Sequence, residues 1–230
     1  MRDDRGVSNQ VGLILIFGLV IIAMGMIYSG TKPIVEGAVN SNHEMEMEQA
    51  FDLLYTNLKK VTFEGVPVRV TEMRTYQGSI TVSNSSYIIF DNSTIKLGRV
   101  TYEQGDREII VEDGGVFEKY ETAILVNKEP AMLTSGNTTV LPIISLQDAD
   151  STSSTSGKGV LRIRLTKLGS GTFEASNKTI TINSSLNDKW TEILENNNFS
   201  VTENGDTIRA TCNSEKLLIS YTSVKVEMLR

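Results

Sequence analysis

Val11-Gly-Leu-Ile-Leu-Ile-Phe-Gly-Leu-Val-Ile-Ile-Ala-Met-Gly-Met-Ile27 is the stretch whose reading decides the architecture. No charge appears between Arg5 and Lys32, and no comparable apolar run occurs elsewhere in the 230 residues. As a helix, Val11 to Tyr28 spans roughly 27 Å, close to the hydrocarbon thickness of a bilayer. The chain is therefore expected to meet a lipid bilayer through its N-terminal region.

Residues 1–6, Met-Arg-Asp-Asp-Arg-Gly, form a short charged leader. A secretory signal places small residues after its apolar core, in an A-x-A-like pattern. Here the small residue, Gly6, precedes the core. A cut between Gly6 and Val7 would leave the apolar helix on the mature chain, so Arg5, Gly6 and Val7 are the candidate processing site. Gly18 and Gly25 lie two turns apart on one helical face, and Gly25 with Ser29 makes a small-xxx-small pair that lets helices approach closely. Val11, Gly18, Gly25 and Ser29 are the candidate packing residues. Pro33 lacks a backbone donor, which predicts a kink or a brief break near Ser29–Thr31.

Helical periodicity resumes from Ile34 to Val61. Met47, Ala50, Leu54, Leu58 and Val61 step by three or four along one apolar stripe, with Glu44, Glu48, Asp52 and Lys59 away from it. His43-Glu-Met-Glu-Met-Glu48 offers potential metal donors, but they do not converge on one face. No metal is expected.

From Val66 the period changes to two. Ser79–Val82, Tyr87–Phe90, Lys96–Tyr102, Glu108–Val111, Thr122–Val126 and Val140–Leu146 read as strands. Asp91-Asn92, Gln104-Gly105-Asp106 and Asp113-Gly114-Gly115 read as turns. Ser151–Gly159 has no large apolar residue and reads as a mobile loop. Leu161, Ile163 and Leu165 alternate with Arg162, Arg164 and Thr166, predicting one buried and one cationic face. Leu186–Glu195 is a predicted helix capped by Ser185, with Leu186, Trp190, Ile193 and Leu194 facing inward. A bulge near Thr222-Ser223 would reconcile Leu217-Ile219-Tyr221 with Val224-Val226-Met228.

The fold expected is α+β: a long N-terminal hydrophobic helix, then an antiparallel β-rich sandwich or barrel with one short covering helix. Its parts are a leader at 1–6, a transmembrane and assembly helix at 7–62, and an extracytoplasmic β domain at 63–230.

A net charge of −6 without a basic patch argues against nucleic acid as a partner. Cys212 stands alone and His43 is the only histidine, so no disulfide framework or nucleophile–base pair emerges. No Gly-rich phosphate loop opens a helix. Neither enzymatic activity nor a cofactor is expected. Six sequons, at Asn84, Asn92, Asn137, Asn177, Asn183 and Asn198, all follow residue 80 and favour an external, glycosylated surface. That placement sets the N-terminus in the cytoplasm and the β domain outside.

Asp4-Arg-Gly-Val-Ser8, followed by Val11-Gly12 and an uncharged helix, resembles the start of archaeal type IV pilin-like proteins. The body adds Gly114-Gly-Val-Phe-Glu-Lys-Tyr120, Leu141-Pro-Ile-Ile-Ser-Leu146 and Gly159-Val-Leu-Arg-Ile-Arg164, which resemble one subgroup. This chain has Ser8-Asn-Gln-Val-Gly12 where many members have Ser-Pro-Val-Ile-Gly. The resemblance implies cleavage between Gly6 and Val7 by a prepilin peptidase. It also implies assembly with like subunits, as homo- or hetero-oligomers, into a surface filament. A permanently anchored surface protein whose β domain binds a ligand is the competing expectation.

Overall fold

The computed structural model describes residues 5–91, 93–148 and 152–229. One helix, α1 (Arg5–Phe63), opens the chain. Strands β1 (Val68–Thr75), β2 (Ser79–Ser83), β3 (Tyr87–Phe90), β4 (Ser93–Lys96), β5 (Arg99–Gln104) and β6 (Arg107–Glu112) follow. Next come β7 (Gly115–Lys119), β8 (Ile124–Lys128), β9 (Leu133–Ser135), β10 (Thr138–Asp148), β11 (Thr152–Ser156), β12 (Gly159–Glu174) and β13 (Thr179–Asn183). Helix α2 (Asn187–Asn196) precedes β14 (Phe199–Asn204), β15 (Thr207–Cys212) and β16 (Lys216–Leu229). The expected α+β class, a long apolar helix before an antiparallel β-rich domain with one short helix, is the observed one.

The chain divides into two compact units, Met1–Glu46 and Met47–Arg230, and the division falls inside α1. In the first unit α1 runs unbroken through Pro33, so the predicted break at Ser29–Thr31 does not occur. Pro33 leaves the Ser29 carbonyl without its usual donor. The hydroxyls of Ser29 and Thr31 donate to the carbonyls of Met26, at 3.1 Å, and Ile27, at 2.9 Å, within the same turns.

In the second unit, the β-rich domain is built from three sheets. Their orders are β1-β12-β16-β10-β9, β11-β2-β5-β6-β7-β8 and β14-β15-β13-β3-β4. All pairs are antiparallel except β10 with β16. Two hydrophobic cores result. The first joins Met47, Phe51, Leu54, Leu58 and Val61 of α1 to Leu161, Ile163, Leu165, Val224 and Val226, and to Ile80, Val100 and Val111. At about 1.5–3 kcal/mol per fully buried large side chain, that helical stripe is a major contributor to the domain. The second core gathers α2 through Trp190, Ile193 and Leu194 with Ile180, Ile182, Ile208, Cys212, Leu217 and Ile219.

Strand β16 serves both cores. Leu217 and Ile219 face the second while Val224 and Val226, of opposite parity, face the first. The expected bulge exists, but on the partner: the register shifts between Lys167 and Gly169 of β12, opposite Val224 and Ser223. Ser151 lies outside the described residues. From Thr152 the expected loop is strand β11, zipped to β2 from Thr152↔Ser83 to Ser156↔Ser79. Serine and threonine suit an exposed ladder as well as a loop, and the pairing partner decides between them.

Helix α2 begins one residue later than expected. Ser185 does not cap it, because its Oγ accepts instead from Arg99 at 2.6 Å. Sequence also paints the β12 surface as cationic, whereas the face is charge-balanced. Arg162 meets Glu72 at 2.9 Å and Arg164 meets Glu227 at 3.7 Å across neighbouring strands.

Candidate functional site: the exposed apolar helix and the braced β domain

The backbone of Arg5, Gly6 and Val7 forms the first turns of α1. From Val11 to Tyr28 every large apolar side chain is exposed, for example Leu19 at 70% and Tyr28 at 69%. A Cβ placed on Gly18 or Gly25 would meet nothing within 4 Å. Among the described residues, therefore, no contact demands the glycines of the stripe. Among the described residues α1 is the one helix long and apolar enough to cross a membrane.

Beyond Glu46 the helix changes task. Glu48 accepts from Arg107 of β6, and Arg107 also donates to Glu118 of β7 at 2.9 Å. The Tyr120 hydroxyl donates to Glu118 at 2.7 Å, the Asn127 amide donates to it as well, and the Arg107 guanidinium lies 5.8 Å from the Tyr120 ring centre. Burial pushes the Glu118 carboxyl up, yet these donors outweigh it and hold it below the usual range. Burial likewise opposes charge on Arg107, and its two carboxylate partners raise it nonetheless. This cluster clamps the end of α1 to the second sheet.

A second polar knot ties the sheets together. Glu112 is wholly buried, with Arg99 at 3.3 Å. One of its oxygens accepts from the Ser184 hydroxyl at 2.6 Å and from the Trp190 indole at 3.0 Å. Neither knot is legible in sequence, since the ion-paired and buried partners that define them, Arg107 with Glu48 and Glu112 with Ser184 and Trp190, lie 59 to 78 positions apart. The one local signal is the Asp113-Gly114 turn.

Asp113 and Gly114 have φ of 47° and 70°, the two positive values a type I′ hairpin turn needs. The Asp113 carboxylate accepts from the Ile144 amide at 2.6 Å. Burial, reinforced by neighbouring Glu112, holds its pKa well above the ordinary aspartate value despite that bond. The folded state thus retains a proton that the unfolded chain has lost. Asp113 contributes stability that is full at low pH and fades as pH rises above the ordinary aspartate range. Asp113→Asn keeps an acceptor and tolerates the left-handed backbone. Thermal unfolding from pH 3 to 8 is expected to show the variant gaining on the wild type as pH rises, and parallel profiles would refute this.

The sequons are not equivalent. Asn137 and Asn177 are exposed in turns. Asn177 receives a further constraint from Asp91, whose carboxylate accepts from the Ser176 and Asn177 amides at 2.7 Å each. Asn183 and Asn198 donate their side-chain nitrogens to the Asp206 carbonyl at 2.8 Å and the Ser214 hydroxyl at 2.9 Å. The Oδ1 of Asn84 is buried. Asn92 lies outside the described residues.

A family described as "Family of unknown function (DUF7289)" matches residues 5–227. The chain belongs to the DUF7289 family. The match begins at the first residue of α1 and ends within β16, so helix and β domain together make up the family's unit. No curated protein and no solved structure matches the chain.

Proposed function

We propose that this DUF7289 chain is a pilin-like structural subunit. It inserts in the membrane through Val11–Tyr28, with the N-terminus cytoplasmic and the β domain outside, where Asn137 and Asn177 are exposed sequons. A prepilin peptidase cuts between Gly6 and Val7. The apolar helix then packs against those of other copies, or of related subunits, in a surface filament. The chain works by assembly and carries out no catalysis.

What supports the reading most is the division of labour along α1. Its first half exposes apolar side chains to which the described residues of the first unit give no cover. Its last turns are core of the β domain. A helix used only as an anchor needs no such merger, because a flexible linker would serve.

The intact mass of the protein purified from its native membrane tests the proposal. Loss of residues 1–6, together with recovery of the protein in sheared surface filaments, is the expected result. A retained leader and absence from the sheared fraction would instead establish a permanent single-pass anchor whose β domain meets a ligand.

A further inference from the structure

The five sequons within the described residues differ in the two groups that N-glycosylation needs, a free asparagine amide nitrogen and a reachable hydroxyl two positions on. Asn183 and Asn198 already donate Nδ2 to the Asp206 carbonyl and the Ser214 hydroxyl. At Asn84 and Asn137 the fault lies in the hydroxyl. Ser86 and Thr139 are wholly buried, and the Thr139 hydroxyl lies 2.8 Å from that of Ser214 and 3.1 Å from that of Thr134.

Asn177 has neither fault. It is exposed in the short loop between β12 of the first sheet and β13 of the third. The Thr179 amide donates to its Oδ1 at 3.1 Å, closing an Asx turn across the sequon. Asp91 fixes the same loop through the Ser176 and Asn177 backbone amides. Oδ1 is thereby engaged, and Nδ2 has no hydrogen-bond partner among the described residues. Thr179 stays partly exposed, and its hydroxyl meets that of another exposed threonine, Thr211, at 3.1 Å.

We propose that Asn177 is a glycosylated residue of the folded chain, taking an oligosaccharide from a lipid-linked glycosyl phosphate. Nδ2 bonds to the anomeric carbon and the bond from that carbon to the phosphate oxygen breaks. The phosphate leaves with the electron pair, and one amide proton passes to solvent. An asparagine amide is a weak nucleophile, because its lone pair is shared with the carbonyl. A transferase must therefore grip both ends of the sequon, and a turn that already closes the sequon lowers the ordering cost of being gripped. The inference rests on the reading that sets the β domain outside, and adds which of its sequons is used.

The protein purified from its native membrane is cut with trypsin, and the peptides are fragmented in the mass spectrometer with their glycans retained. Lys178 separates Asn177 from Asn183, and Lys189 separates Asn183 from Asn198, so the three report on different peptides. The expected result is glycan mass on Asn177, with Asn84, Asn137, Asn183 and Asn198 bare. Asn177→Gln and Thr179→Val should each lose that mass, and Thr179→Ser, which keeps the hydroxyl, should retain it. A bare Asn177, equal occupancy of any other of the five, or a glycan that survives Thr179→Val overturns the proposal. Protease added to intact cells separates this failure from that of the reading beneath it. A β domain that is digested while Asn177 is bare sinks the glycan alone, and one that is protected sinks the outside placement and the glycan with it. A glycosylated Asn177 on a chain that keeps residues 1–6 sinks the filament reading alone.

Discussion

Arg99→Ala is expected to destabilise the β domain by about 3–5 kcal/mol, the usual cost of stranding one member of a buried ion pair. Glu112 is wholly buried, and the side chain of Arg99, a cationic neighbour at 3.3 Å, is 11% exposed. Without that guanidinium, Ser184 and Trp190 still donate to Glu112, but its charge loses its counterion in a poorly solvated site. For a unit of this size each kcal/mol moves the midpoint by about 2–4 °C, so a fall of roughly 10 °C is expected. Trp190 is the only tryptophan and its indole touches Glu112, so its fluorescence reports the event directly. A second substitution, Glu112→Gln, should recover much of the loss in a double-mutant cycle. An unchanged midpoint in Arg99→Ala would mean that the pair does not brace the two cores.

Replacing Gly18 or Gly25 with leucine is expected to abolish filaments while leaving membrane insertion and the β domain intact. No described residue lies within 4 Å of a Cβ at either position, so the substitutions meet no clash among the described residues of a single copy. Leucine is the better helix former by about 0.8–1 kcal/mol in aqueous hosts, so the isolated helix should not suffer either. The loss can then come only from helices held apart by side chains where backbones had met. Sheared fractions compared with membrane fractions read the outcome. Filaments of normal yield from both variants would remove the stripe from the assembly surface.

The polar clamp around Glu118 and the Asp113 turn show what kind of information is local. Asp113-Gly114 announces a hairpin because left-handed backbone favours glycine and aspartate whatever surrounds them. That Asp113 also caps the Ile144 amide needs β10 to arrive beside the turn, which no neighbouring residue dictates. The same holds for Arg162 and Arg164. Their alternation with Leu161, Ile163 and Leu165 correctly separates two faces, but Glu72 and Glu227, which neutralise them, come from strands 90 and 63 positions away. Ser185 is legible as a capping type and spends its hydroxyl on Arg99 instead.

By itself, the sequence determined the apolar helix, its amphipathic continuation, the change to a period of two, and the short second helix. Each rests on periodicity or on the absence of charge, which are properties of consecutive residues. Tertiary structure decided that α1 continues unbroken through Pro33 and that its last turns belong to the β domain. It also decided that Thr152–Ser156 is a strand, and that three sheets surround two cores. Those outcomes depend on which distant surfaces meet. A strand of serines and threonines is extended only because β2 supplies its hydrogen bonds, and a buried Glu112 is tolerable only because Arg99 and Trp190 converge on it.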